Sequence, residues 1–257
     1  MATVKLDILS DPICPWCYIG KTHLDKALAE VPDHPFVIEW HPFQLNPDMP
    51  REGMDRREYL ERKFGGKEGA VKAYAPVVEH AEKAGLTINF EAMKRTPNTL
   101  DAHRLIHWAG IEGKQAQVVD ALFKAYFVDA KDIGGHAVLA EIAQEAGMEA
   151  DVAARLLEGD SDVQEIRDRD AHSRKMGVSS VPTFIVANQQ GAAGLERQIK
   201  LPAFIPGQAR HQLGNRRRLP VGHQDIQHRQ GDLLQRVLQL RQRQMLMQLL
   251  WPRVLLS

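Results

Sequence analysis

The sequence predicts an α/β protein whose small sheet is interrupted by a large, all-helical insertion. Three observations carry this. Two β-patterned stretches, Val4–Leu9 and Phe36–His41, flank a helical pattern, which is the order of a parallel strand–helix–strand unit with a right-handed crossover. From about Asp55 to Gly177 the periodicity is helical. A third apolar β-run, Val178–Val186, then follows.

In chain order, Val4–Leu9 alternates apolar and polar residues as a half-buried strand does. A helix is expected over about Cys17 to Ala29, with apolar positions at Ile19, Leu24, Ala27 and Leu28. Its Lys21–Lys26 stretch reads as ordinary helix surface. Pro32 and Pro35 mark a loop, Phe36–His41 alternates again, and Pro42 and Pro47 lead the chain out of the strand. Helices are expected over Arg56–Phe64, Gly69–Ala84, Thr99–Ala109 (with Asn98 as N-cap), Lys114–Phe127, His136–Ala146, Glu149–Leu157 and Asp162–Met176. Pro182 stands near the start of the last run, where a strand tolerates a proline. The expected domains are thus 1–50 with 178–200 for the α/β part, and 51–177 for the insertion.

Residues 201–257 have a different character. From Gln190 onward there are 11 Lys and Arg against 3 Asp and Glu, a net of +8, leaving −8 on residues 1–189 of a chain whose formal charge is zero. This basic Gln/Arg/Leu-rich tail reads as a disordered extension, a partner-binding arm, or an out-of-frame terminus. The strand and helix that would complete the sheet are the least convincing part of the sequence, with Gly191–Lys200 a poor substitute.

Composition is that of a globular protein, 44% hydrophobic and 26% charged. Zero net charge gives no sign of a nucleic-acid partner, and no apolar run reaches the roughly 18 residues of a membrane span. No export signal is visible, so the cytoplasm is the expected location.

The only two cysteines, Cys14 and Cys17, are spaced Cys-x-x-Cys at the strand-to-helix junction. Free N–H groups and the helix dipole at that position favour an anion, so a thiolate at Cys14 is stabilised there. Cys17 lies one turn on, within reach of a mixed disulfide on Cys14. A lone pair of this kind in a reducing compartment points to redox chemistry rather than to a structural staple. Zinc needs about four ligands, and no matching His/Cys pair is present. His103 and His107, spaced i, i+4, read as solvated or satisfied residues, and Glu39 or His41 would be a proton acceptor for Cys17 only if it faced inward. Trp40 and Phe43 read as core or groove lining.

Three separated motifs carry a family resemblance. Ser10–Gly20 (Ser-Asp-Pro-Ile-Cys-Pro-Trp-Cys-Tyr-Ile-Gly), Trp40–Pro47 and Pro97–Arg104, followed by Val181-Pro182-Thr183 before a strand, resemble the DsbA-like branch of the thioredoxin superfamily, and its FrnE-type members most closely. The resemblance covers about residues 3–189. It implies a thioredoxin-like fold with an inserted helical subdomain, Cys14 as nucleophile, Cys17 as resolving thiol and Pro182 as a cis-proline facing them. Pro15, Trp16, Val181, Asn98 and Phe43 would contact substrate, with the Val181 backbone pairing to an extended chain. The implied activity is thiol–disulfide exchange. Related 2-hydroxychromene-2-carboxylate isomerases and kappa-class glutathione transferases carry a serine where Cys14 stands, which leaves a glutathione-dependent isomerase or transferase as the alternative and a chaperone-like client binder as a third reading. No resident cofactor or metal is expected, with glutathione open as co-substrate. The expected partners are protein or small-molecule thiols and disulfides, not nucleic acid or membrane, with a homodimer left open.

Overall fold

In the computed structural model, which describes residues 3–187, β1 (Val4–Ser10) is the central strand of a three-stranded sheet. It pairs in parallel with β2 (Phe36–Pro42), Val4 opposite Phe36 and Ser10 opposite Pro42. On its other side β5 (Thr183–Ala187) runs antiparallel, with Thr183 opposite Leu9. The expected alternation in β1 holds only at its start. Ile8, Leu9 and Ser10 are all buried, because a central strand covered on both faces buries both sets of side chains.

The crossover from β1 to β2 is α1 (Pro15–Ala29). It starts two residues earlier than its periodicity predicts, because proline fits the first helical turn, where its missing N–H has no intrahelical partner. Cys14 is the N-cap and its side chain makes no capping bond. Trp16, Ile19, Leu24 and Ala27 form the buried stripe, and Tyr18 stacks on Phe123 and Phe127. Lys21 departs from the expectation of a surface residue. It is buried at 5% exposure, with its ammonium paired to Asp25 at 2.7 Å and to Asp120. The periodicity of α1 gives no warning of this, since the covering residue comes from a distant helix.

Between β2 and β5 the chain forms seven helices among the described residues: α2 (Arg56–Phe64), α3 (Lys67–Lys83), α4 (Leu100–Ile111), α5 (Gln115–Phe127), α6 (His136–Glu145), α7 (Ala150–Glu158) and α8 (Val163–Lys175). The stretch also holds a two-residue antiparallel ladder, β3 (Met54–Asp55) with β4 (Arg95–Thr96), too short to leave a periodic signal. α4 begins at Leu100 with Thr99 in the N-cap position, and Asn98 caps from one residue earlier, its Oδ1 accepting from the Leu100 N–H at 2.9 Å. Arg104, fully buried on α4, donates to the carbonyls of Leu156, Gly159 and Ser161 at the end of α7 and pairs with Asp101 at 2.7 Å, so α4 caps α7. α4 and α8 pack on β2. Residues Val178–Pro182, expected as strand, are a turn leading to β5. The expectations for Gly191–Lys200 and for the tail fall on residues outside the described ones. Among the described residues no helix is long and apolar enough to cross a membrane.

Candidate active site

The site is built on the turn between β1 and α1. Asp11 organises it: its carbonyl accepts from the Cys14 N–H at 2.9 Å, Oδ1 from the Ile13 N–H at 3.3 Å, and Oδ2 from the Leu45 N–H at 2.6 Å. One side chain thus ties the cysteine turn to the loop after β2. Asp11 is completely buried, and burial pushes its carboxyl up to about 7. His103 from α4 stands next to it, Nε2 lying 3.9 Å from Asp11 Oδ1. Burial pulls this imidazole down to about 4, and among the described residues Nε2 has no hydrogen-bond partner. The contact therefore joins neutral groups near pH 5.5 and is not a salt bridge.

Both cysteines are free thiols. The Cys14 S–H donates to the Val181 carbonyl at 3.8 Å across 167 positions of sequence, and the Val181–Pro182 peptide is cis. The Cys14 carbonyl accepts from the Cys17 and Tyr18 N–H groups at 3.0 and 3.2 Å, closing the first turn. Cys17 is enclosed behind Cys14, and burial, then the neighbouring sulfur, push its thiol well above the ordinary range, opposed by the Ser10 hydroxyl and the Asp11 N–H.

Cys14 opens onto a groove of about 770 Å³. Trp16, Phe43, Val181 and Pro182 line it, as do Tyr59, Arg62 and Lys63 of α2 and Arg174 of α8. Arg174 lies 4.1 Å over the Phe43 ring and is paired to Asp170 at 2.7 Å. Of the residues expected to meet substrate, Trp16, Phe43 and Val181 face this groove. Pro15 lines a smaller cavity beneath Cys14, with Arg56, Tyr59, Lys63, Tyr74 and Tyr126. Asn98 stands behind the wall, where its Nδ2 donates to the Met49 carbonyl at 2.6 Å and its Oδ1 accepts from Gln44 Nε2 at 3.4 Å.

Glu39 and His41 do not reach Cys17. They lie with Asp7 on the sheet face covered by α8, where His41 Nε2 is 2.6 Å from Asp7 and Arg169 donates to His41 Nδ1 at 2.9 Å. Asp7, Glu39 and His41 come within 4.8 Å of one another, but Lys5 bridges both carboxylates at 3.1 and 2.9 Å, so protein cations already neutralise the cluster. The sequence patterns leave out Asp11, Lys63, Tyr59 and Arg174, and they read His103 as solvated or satisfied, whereas it is buried with Nε2 unpartnered among the described residues. Asp11 lies inside the cysteine motif and was legible there, whereas the others reach the site only through the packing of α2, α4 and α8.

A Cys-x-x-Cys at the start of a helix, beside a cis-proline at the same end of the neighbouring strand, defines a protein of the thioredoxin class. The sequence profile of the DSBA-like thioredoxin domain matches residues 5–205, and the chain belongs to that family of oxidoreductases and isomerases. The protein YwbO of Bacillus subtilis is 28% identical over 196 residues, covering 75% of this chain and 92% of that protein. A probable DsbA oxidoreductase from Streptomyces coelicolor is similar in structure, with a TM-score of 0.65 and 27% identity over 71% of this chain and 80% of that one. A 2-hydroxychromene-2-carboxylate isomerase shares the fold, with a TM-score of 0.53 at 14% identity, covering 70% of this chain and 84% of its own.

Proposed function

We propose that the protein is a cytoplasmic thiol–disulfide oxidoreductase working through Cys14 and Cys17. The observation that carries this reading is Cys14 at the N-cap of α1, opening onto the groove opposite the Val181 carbonyl, with Cys17 enclosed one turn behind it. The Cys14 thiolate attacks one sulfur of a substrate disulfide; a new S–S bond forms and the other substrate sulfur leaves as a thiolate. Cys17 then loses its proton and attacks the Cys14 sulfur. The intramolecular disulfide forms, the second substrate thiolate leaves, and two electrons have passed from the dithiol to the substrate. Glutathione, or another small thiol or dithiol, restores the reduced pair. Oxidation of a substrate dithiol is the same path reversed, and the direction follows from the reduction potential of the pair against its surroundings.

Trp16 and Phe43 supply the apolar walls, and the Val181 backbone pairs with an extended substrate segment. The enclosure of Cys17 suits its role, since a resolving thiol hidden from solvent attacks only the mixed disulfide beside it.

Turnover of insulin and of glutathione disulfide by the wild type, Cys14→Ser and Cys17→Ser tests the reading. Cys14→Ser is expected to be inactive, and Cys17→Ser to accumulate a mixed disulfide on Cys14. Full activity in Cys14→Ser sinks the proposal. Activity that survives in Cys17→Ser but requires added glutathione would move the protein to the isomerase or transferase alternative.

A further inference from the structure

We propose that Lys63, supplied by the helical insertion, is the positioning residue for the reactive sulfur: its ammonium is the counter-charge of the Cys14 thiolate, held in the cavity wall that the two residues share. This rests on the redox reading above and assigns a part of the site that the cysteine motif does not contain.

Three cations line the groove, and they differ in how their charge is met. Arg62 is exposed to water. Arg174 is paired with Asp170. Lys63 is partly buried, has no carboxylate in ion-pair contact among the described residues, and makes one hydrogen bond, donated to Tyr59 Oη at 2.6 Å. Tyr59 in turn donates to Asn46 Oδ1 at 2.8 Å, so the ammonium is held in one place. A cation withdrawn from water without an anion is costly, and such groups are normally paired.

The groups around Lys63 narrow the choice of anion. The phenol of Tyr59 is pushed up to about 12 by burial and stays neutral. Tyr74 of α3, half-buried, and Tyr126 of α5, buried, are phenols whose oxygens accept from Arg56 at 3.2 and 3.1 Å, and burial pushes both up. Arg56 adds a second positive charge behind the cavity rather than an anion. The Asp11 carboxyl accepts from the Ile13 and Leu45 N–H groups, and burial pushes it up to about 7, so it is only half ionised near neutral pH. Cys17 is held protonated by its burial. Asp48 also lines the groove, but it is exposed to water and makes no ion pair with Lys63 among the described residues. Cys14 remains, and it lines both the groove and the small cavity with Lys63. Burial lowers the ammonium, opposed in turn by Tyr74, Cys14 and Asp11.

The test uses the full chain in a Cys17→Ser background, so that the ultraviolet thiolate absorbance reports Cys14 alone. Lys63→Met is expected to move the midpoint of that titration up by about one pH unit and to slow alkylation at neutral pH by up to about tenfold. Lys63→Arg keeps the charge and should restore most of the shift. Tyr59→Phe, which frees the ammonium, should shift the midpoint the same way by less. If Lys63→Met does not fold, Lys63→Gln gives the same reading. An unchanged midpoint in a folded Lys63→Met or Lys63→Gln protein overturns the proposal. So does an effect confined to a raised KM for glutathione disulfide, which would make Lys63 a holder of substrate carboxylate. The titration needs no turnover, so it stands or falls separately from the Cys14→Ser activity test.

Discussion

Asp11 and His103 should make single substitutions change the pH dependence of stability in opposite directions. Asp11 has its carboxyl raised from 3.8 to about 7 in the fold. A raised carboxyl stabilises the native state fully below pH 4, and that contribution is lost as pH rises through about 7. At about 1.4 kcal/mol per unit, the loss is roughly 4 kcal/mol. His103 is lowered from 6.5 to about 4. Its contribution is present above pH 6.5 and is lost as pH falls through 4, which amounts to roughly 3 kcal/mol. Over the shared window the two slopes oppose each other, because the pair holds about one proton both folded and unfolded. Urea unfolding between pH 4.5 and 7.5 reads the difference between each variant and the wild type. His103→Gln removes the rising slope, so its stability relative to wild type should fall by about 3 kcal/mol across the window. Asp11→Asn removes the falling slope, so its relative stability should rise by about 3 kcal/mol across the window, which starts above the unfolded value of 3.8. Two flat difference curves would refute the argument that these groups are buried in their neutral forms.

Two further predictions concern the frame of the site. The Gln115 side chain works as a short extra strand on β2, with Oε1 accepting from the Trp40 N–H at 2.7 Å and Nε2 donating to the Trp40 carbonyl at 3.1 Å. Gln115→Ala should lower stability by about 1–3 kcal/mol and speed hydrogen exchange at the Trp40 amide, and an unchanged exchange rate would show that the amide was not protected this way. Gly53, in the turn before β3, has φ +72°, and a Cβ there would stand 2.7 Å from the Thr96 carbonyl oxygen. Gly53→Ala should therefore cost at least about 1–3 kcal/mol in thermal or urea unfolding, and a neutral effect would contradict the close approach of β3 and β4.

How much of this could be read beforehand depends on the range of the interaction. The parallel β1–β2 pairing, the helix between them, the run of insertion helices and the cysteine pair at a helix start all follow from patterns within a few residues. The resemblance of the motifs at Ser10, Trp40 and Pro97 led to the family. The Val181 carbonyl stands 3.8 Å from the Cys14 sulfur, and the Val181–Pro182 peptide is cis. Asn98, drawn from the same resemblance, is held behind the groove by Gln44 and Met49 rather than lining it. α1 starts at Pro15, two residues before the start its periodicity predicts, because proline suits the first helical turn, where its missing N–H costs no hydrogen bond.

What the sequence by itself determined is therefore the cysteine pair at a helix start and the order of the elements around it, since periodicity, proline placement and a two-cysteine spacing are local properties of the chain. Only the tertiary structure decided what surrounds the sulfur. Asp11 and His103 meet because α4 packs against the cysteine turn; Lys21 is buried because Asp120 comes from α5; and Lys63 shares a cavity with Cys14 because α2 folds back over it. Burial and charge pairing set the protonation of these groups, and both depend on which distant segments exclude water from a side chain, which no pattern along the chain records.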